Sequence, residues 1–395
     1  MDSSDFTDSA PGRLVSTTHG VRAFVPDPPP RGLSLPTATV RRLATAERAV
    51  GRLCGVALQE FNPYLISSPL LHREAILSSR IEGTITTPEQ LVLLEAEEAD
   101  DVPTRHRDED TAEVLNYVRA MQHGLKRLES LPVSLRLIQD IHRVLLSGVR
   151  GERQDPGAFR RSQNFIAATG SNRIEDARFV PPPVNEMDRA LHDFESYLHD
   201  ESVEDPFLIQ LALAHYQFEA IHPFRDGNGR VGRLLIPLLM VARDRLDAPI
   251  LYLSAYFERN REAYVDLLLL VSQRGDWIRW IDFFLDGVAE SASEATRQAT
   301  ALLELRQQYH RTFQSDRSSA KIIRLIDELF QTPSITISKA AQVLELTPQG
   351  AANNIHKLEA AGVLREITGA KRNQVFVADE FLAFLYDSPD GGRQG

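Results

Sequence analysis

Residues 208–235 read LIQLALAHYQFEAIHPFRDGNGRVGRLL, and the fold turns on whether the glycines at 227, 229 and 232 follow a strand or a helix. They spell G-x-G-x-x-G, with Asp244 and Asp247 roughly 20 residues on, as a dinucleotide-binding βαβ unit would want. Such a fingerprint must follow a strand. The preceding LIQLALAHYQFEAI has the apolar spacing of a helix, and the sequence lacks the alternating strands that build a parallel sheet. A Walker lysine motif is absent as well. What remains is a glycine-rich break before an apolar helix, holding a histidine, an aspartate, an asparagine and two internal arginines, Arg230 and Arg233.

Outward from that break the periodicity is helical nearly throughout, over 111–130, 133–147, 185–200, 206–221, 228–245, 255–272 and 276–310. The expected fold class is mainly α, a helical bundle. Residues 164–184, NFIAATGSNRIEDARFVPPPV, interrupt it, because a polar turn separates two short apolar pieces and Pro181–Pro183 forbid a helix; a β-hairpin flap or extended flap is expected. Upstream, a helix is expected at about 36–61, and the apolar segment Ser68–Ile81 ends at Gly83. A further helix then starts with Thr86 or Thr87 as N-cap and Pro88 at its first position. The acidic stretch Glu89–Glu113 reads as a solvated linker and helix ends. From about 317 three helical patterns, 318–331, 336–345 and 348–361, lead into two alternating segments about a basic turn, which reads as a winged helix-turn-helix. The expected organisation is a tail draped over the body (1–35), an N-terminal helical region (36–110), a helical core (111–310) and the winged helix-turn-helix domain (317–385).

A length of 395 residues exceeds one ordinary core, and 43% hydrophobic with 25% charged residues is the usage of a chain that folds. The net charge of −11 argues against a chain-wide electrostatic grip on nucleic acid or anionic lipid, so any such contact must be local. Cys54 is the single cysteine, and its neighbours Val50, Leu53, Ala57 and Leu58 make it a small buried hydrophobe, in keeping with a reducing compartment. The N-terminus has no basic-then-apolar leader and the longest apolar run, Leu234–Ala242, is too short for a membrane helix, so a soluble, cytoplasmic protein is expected. Histidines pair at 192/199 and 215/222 without the companions a zinc site needs, and His215 reads as a buried, hydrogen-bonded residue.

The break itself has the chemistry of an anion site. Glycines at 227 and 229 let successive backbone N–H groups point outward, and the next helix adds its positive N-terminal end. Arg230 and Arg233 sit unfavourably for the helix dipole, which a bound polyanion would explain. Asp226 stands where a carboxylate could hold magnesium against a diphosphate, and His222 can serve as a base at physiological pH.

The stretch HPFRDGNGRVGR, residues 222–233, resembles the signature of the Fic (filamentation induced by cAMP) family, H-x-F-x-D/E-G-N-G-R-x-x-R, and meets every fixed position. The resemblance extends through IHRVLLSGVRGERQDPGAFRRSQN, the proline-bearing flap, LYLSAYFERNREAYVDLLLLV and GDWIRWIDFFLDGV, so it covers roughly residues 35–290. It implies a Fic-type helical bundle and a protein adenylyltransferase that moves AMP from ATP, with Mg2+, to a Ser, Thr or Tyr hydroxyl of a protein. By position, His222 would be the base, Asp226 the metal ligand, and Gly227, Asn228 and Gly229 the anion hole. Arg230 would contact the phosphates and Arg233 the γ-phosphate, with Gly232 within the cofactor-binding loop. Tyr256 and Asn260 match the family's region near the adenine and ribose.

Ser78-Ser79-Arg80-Ile81-Glu82-Gly83 resembles the family's inhibitory motif S/T-x-x-x-E-G/N. Ser78 and Glu82 are expected to share a helix face, and Gly83 is a natural residue just past a helix end. The resemblance implies that Glu82 pairs with Arg233 and holds activity back. The flap around Phe179, Val180 and Pro181 would dock the target's backbone by strand addition. Two other readings stay open: a de-AMPylating hydrolase on the same site, and a nucleotide-sensing regulator whose winged helix binds DNA through Asn353, Asn354, His356 and Lys357. The target protein, which could be the chain itself, and self-association into a homodimer are open too.

Overall fold

The structure is a computed structural model that describes residues 1–18, 20–58, 64–100, 108–167, 173–314, 319–370 and 372–386. In chain order these form β1 (Gly12–Ser16), β2 (Arg22–Pro26), α1 (Thr37–Ala57), α2 (Tyr64–Ile81), α3 (Pro88–Ala99), α4 (Glu109–Leu128) and α5 (Leu135–Leu145). There follow β3 (Ile166–Ala167), β4 (Ala177–Phe179), α6 (Val184–His199), α7 (Phe207–Ile221), α8 (Asn228–Ala242), α9 (Ser254–Arg259), α10 (Arg261–Arg274) and α11 (Trp277–Phe313). The C-terminal part holds α12 (Ser319–Gln331), β5 (Ser334–Thr336), α13 (Ile337–Leu344), α14 (Pro348–Ala360), β6 (Arg365–Glu366), β7 (Val375–Val377) and α15 (Asp379–Tyr386). The fold is mainly helical, as the periodicity implies. It divides into two compact units, each discontinuous in sequence: residues 1–51, 119–245 and 253–292, and residues 52–118, 246–252 and 293–395.

The first unit is built around α7, which is mostly apolar and buried on nearly every side between Leu208 and Ile221. Trp280 of α11 is fully buried and donates its indole N–H to the Ala212 carbonyl at 2.9 Å, so the largest side chain of the core also satisfies its one polar atom. The chain leaves α7 at His222 and re-enters a helix at Asn228, and α7 and α8 then pack against each other. Gly232 makes that packing close: a Cβ there would lie 2.2 Å from Glu219 Oε1 and 3.2 Å from the Phe218 ring.

Two features depart from the expectations. The stretch 1–35 contains a hairpin, β1 antiparallel to β2 with Gly12 opposite Pro26 and Ser16 opposite Arg22, and its Ala23 and Phe24 are fully buried. The Pro cluster that follows masks that signal, whereas Gly12 carries it: a Cβ there would meet the Val25 carbonyl oxygen at 2.3 Å. The single helix expected over 255–272 is two, α9 and α10, broken at Asn260 (φ −112°, ψ 31°), which ends one helix and begins the next. The flap expected over 164–184 carries, among the described residues, the short antiparallel strands β3 and β4, with Ile166 opposite Phe179.

In the second unit, α2 and α3 pack with α12, α15 and the sheet β5-β7-β6. The two alternating segments expected near the C-terminus pair as β6 and β7, and β5 adds to β7. Leu65 of α2 shares one apolar cluster with Leu302 and Leu305 of α11, Ile322 and Leu329 of α12, Ile355 of α14 and Phe381 of α15. Ser68 donates to the Gln331 carbonyl, Ser334 to the Val92 carbonyl at 3.1 Å, and Arg365 pairs with Glu89 at 3.3 Å.

Candidate active site

The chain turns out of α7 through His222 itself, which adopts the left-handed conformation at φ 49°, ψ 61° while its N–H still donates to the Phe218 carbonyl at 3.0 Å. A non-glycine residue there costs about 1 kcal/mol or more, so surrounding contacts must hold it. They do. Buried Arg160 donates from Nε to the His222 carbonyl at 3.0 Å, from Nη1 to Ser162 O at 3.3 Å and from Nη2 to Pro182 O at 2.6 Å. Burial pulls its guanidinium pKa down to about 10, and the ring of carbonyls is what a buried cation needs. Asn164 adds donors to the carbonyls of His222 at 3.3 Å and Phe224 at 2.9 Å.

Asn228 clips the loop from the other side, accepting the Phe224 N–H at 2.8 Å and donating to the Phe224 carbonyl at 2.9 Å. Its side chain is thereby committed, and only its backbone N–H, at the first position of α8, is available to an anion. Phe224 is fully buried, with its ring parallel to that of His142 at 3.7 Å. Gly227 precedes the helix at φ +77°, ψ 6°, the conformation glycine allows without cost.

Asp226 is half-exposed, and its Oδ1 accepts the Gly227 N–H at 2.6 Å and lies 3.5 Å from Arg230 Nη2. The loop thus already cradles one carboxylate oxygen between a backbone N–H and a guanidinium, the arrangement that would receive a phosphate oxygen. Arg230 and Arg233 are both buried, at 4% and 3% exposure, rather than on a solvated face. For magnesium, Asp226 is a hard oxygen donor, and no cluster of three or more His, Cys, Asp or Glu among the described residues could hold a metal alone. That donor set fits an ion held mostly by phosphates and water. His215 is buried and neutral, its pKa carried down to about 3 by burial and by Arg233, and it bonds the Tyr264 hydroxyl at 2.8 Å.

Other expected site residues lie elsewhere or are otherwise engaged. Gly232 faces the α7–α8 seam, where its missing side chain serves packing rather than ligand contact. The Tyr256 ring packs beside Phe283 at 5.0 Å and over Gly287, where a Cβ would come within 2.7 Å, and burial pushes its hydroxyl pKa up to about 12. Asn260 donates to the Tyr256 carbonyl at 2.9 Å. Phe179 and Val180 are buried, and the carbonyls of Val180, Pro181 and Pro182 accept from Phe24 N at 2.9 Å, Gln163 Nε2 at 2.9 Å and Arg160. The Phe179–Pro181 part of the flap therefore turns its side chains and these carbonyls inward.

In the second unit, α2 ends at Ile81. Gly83 at φ +92° closes the helix end, with Thr84 N–H donating to Ser79 O at 3.1 Å and Gly83 N–H to Arg80 O at 3.0 Å. Ser78 is fully buried, while Glu82, just past the last helical residue, is exposed. Sequence reasoning assigned no role to His142, Arg160 or Asn164. Their quoted segment IHRVLLSGVRGERQDPGAFRRSQN was the available signal, but 84, 62 and 58 residues separate them from their loop partners.

A helical bundle that presents a histidine and a carboxylate on a glycine loop at a helix N-terminus defines a class suited to handling phosphate esters. Residues 40–126 match the Fic/DOC family N-terminal region and residues 132–240 the Fic/DOC family domain, so the chain carries both. It is 32% identical over 161 residues to the protein adenylyltransferase Fic of Aedes aegypti, covering 39% of this chain and 27% of that protein. With the protein adenylyltransferase Fic of Drosophila erecta it is 26% identical over 276 residues, 68% of this chain and 49% of that one. The chain thus spans about half the length of these curated relatives or less. A crystal structure of a Fic family protein from Desulfovibrio desulfuricans G20 shares the fold, with TM-score 0.56 and 19% identity over 93% of this chain and 100% of that one.

Proposed function

We propose that this protein transfers AMP from ATP to a hydroxyl of a protein, with His222 as base and the 226–233 segment as the phosphate site. The observation that carries this reading is His222 held in a left-handed turn by Arg160 and Asn164, six residues ahead of a helix N-terminus whose loop already cradles a carboxylate. His222 would take the hydroxyl proton as the oxygen attacks the α-phosphorus, and the bond to the β-phosphate oxygen would break, releasing pyrophosphate. Gly227 N–H and the first N–H groups of α8 would receive charge on the phosphate oxygens, with Arg230 and Arg233 supplying positive charge from buried positions. Asp226 would leave Gly227 to hold magnesium, which when bound neutralises charge on the α- and β-phosphates.

Glu82 acts in this reading as the brake. The C-terminal α12–α15 region is assigned to protein contacts rather than DNA: Asn354 is buried and bonds the Gly350 carbonyl at 2.8 Å, and Arg324, Lys339 and Arg365 are paired with Glu345, Glu328 and Asp379. No helix among the described residues is long and apolar enough to cross a membrane.

The test is label transfer from α-labelled against γ-labelled ATP with magnesium, onto the chain itself and onto a cell extract, for wild type, Glu82→Gly and His222→Ala. Attachment of α-label alone, increased by Glu82→Gly and abolished by His222→Ala, is the expected result. Incorporation that survives His222→Ala would sink the reading.

A further inference from the structure

His142 of α5 is fully buried, and its two ring nitrogens meet partners of opposite kind. The Gly157 backbone N–H, 2.8 Å from Nδ1, can only donate, so Nδ1 must carry its lone pair. The ring proton therefore sits on Nε2, which donates to the Asp226 carbonyl at 3.0 Å. A charged ring would set two donors against each other at Nδ1.

The consequence falls on the next peptide. In a trans peptide C=O and N–H point in opposite directions, so holding the Asp226 carbonyl toward α5 turns the Gly227 N–H away from it, onto the anion side of the loop. There it meets Asp226 Oδ1 at 2.6 Å. The imidazole also lies flat against Phe224 at 3.7 Å and 9°, and it stands 3.5 Å from the position a Cβ would take on Gly227, so the ring sits directly against this turn.

We propose that His142, as the neutral Nε2–H tautomer, is the positioning residue that fixes the Asp226–Gly227 peptide and so aims both the anion-binding N–H and the Asp226 carboxylate. The catalytic part of this inference rests on the phosphate-site reading above; the tautomer and the peptide orientation do not. Three replacements separate the contacts. His142→Gln keeps a donor near the Nε2 position, His142→Asn keeps an acceptor near Nδ1, and His142→Phe keeps the stack alone.

The experiment uses the full-length chain. Long-range proton–nitrogen NMR on histidine-labelled protein at pH 7 reads the tautomer of the unsubstituted ring, and hydrogen exchange reads protection over 222–233 in each variant. The kcat and KM for nucleotide transfer are measured in the Glu82→Gly background. A neutral Nε2–H ring is expected, with loop protection kept in the Gln variant and lost in the Asn variant. In kcat, Asn and Phe should fall about 100-fold and Gln should recover to within about tenfold, with KM changing less than about threefold. A charged or Nδ1–H ring, or an Asn variant as protected and as active as Gln, overturns the proposal. If the Glu82→Gly parent transfers no nucleotide, the functional reading fails, and the NMR and exchange data still decide the role of His142. The tautomer is read on the native chain, so it decides even if a variant does not fold.

Discussion

His222 pairs chemistry with backbone strain, since a histidine stands at φ 49° where glycine or asparagine is at ease. His222→Asn should therefore keep its melting temperature while losing transfer by about 100-fold or more, the contribution of a general base, measured by label incorporation beside a thermal melt. Asn228 makes the opposite kind of contribution. Asn228→Ala strands the buried Phe224 N–H that its Oδ1 now accepts, a loss of about 1–3 kcal/mol that chemical denaturation would report. Two buried histidines show how partners decide charge. His142 faces one donor and one acceptor and is neutral, whereas His72 of α2 faces only acceptors, the Ser68 carbonyl and the Glu95 carboxylate, each at 2.8 Å. Burial opposes charge on His72, but these partners outweigh it and raise its pKa above 6.5.

At the scale of elements, that pair ties α2 to α3 and makes the tie depend on pH. A raised folded-state pKa stabilises below the ordinary value and is lost as pH climbs through the folded value. Wild type should thus lose melting temperature between pH 6 and 9 relative to Glu95→Gln, the two curves converging at the alkaline end. Gly275, past the end of α10 at φ +67°, has no room for a side chain, because a Cβ would lie 2.3 Å from the Ser9 carbonyl oxygen. Gly275→Ala should cost about 1–3 kcal/mol, read from the denaturation midpoint. Elements of this kind mark the limits of sequence reading. The long helices were legible from their apolar spacing, Gly83 from its place after an apolar run, and the break between α7 and α8 from its glycines. The hairpin β1–β2 was hidden by the adjacent prolines, and the break at Asn260 by an apolar pattern that runs on through it. Arg160, Asn164 and His142 were not legible as loop supports, because their hydrogen bonds reach backbone carbonyls and no side-chain pattern records such a partner.

For the whole molecule, the decisive fact is that α2, with Ser78 near its end and Glu82 just beyond it, shares a core with the C-terminal helices. Removing residues 315–395 would expose Leu302, Leu305 and Leu65 together, and hydrogen exchange over 64–81 should rise steeply. If Glu82 is the brake, the same truncation should raise nucleotide transfer in wild type and add little in Glu82→Gly. The shared core also bears on how heat takes the chain apart. The apolar interior of residues 319–386 is continuous with that of α2 and α11 in one cluster, so calorimetry should find no separate transition for them. They should melt together with α2 and α3, and a ligand that bound only α12–α15 would raise the temperature at which α2 unravels.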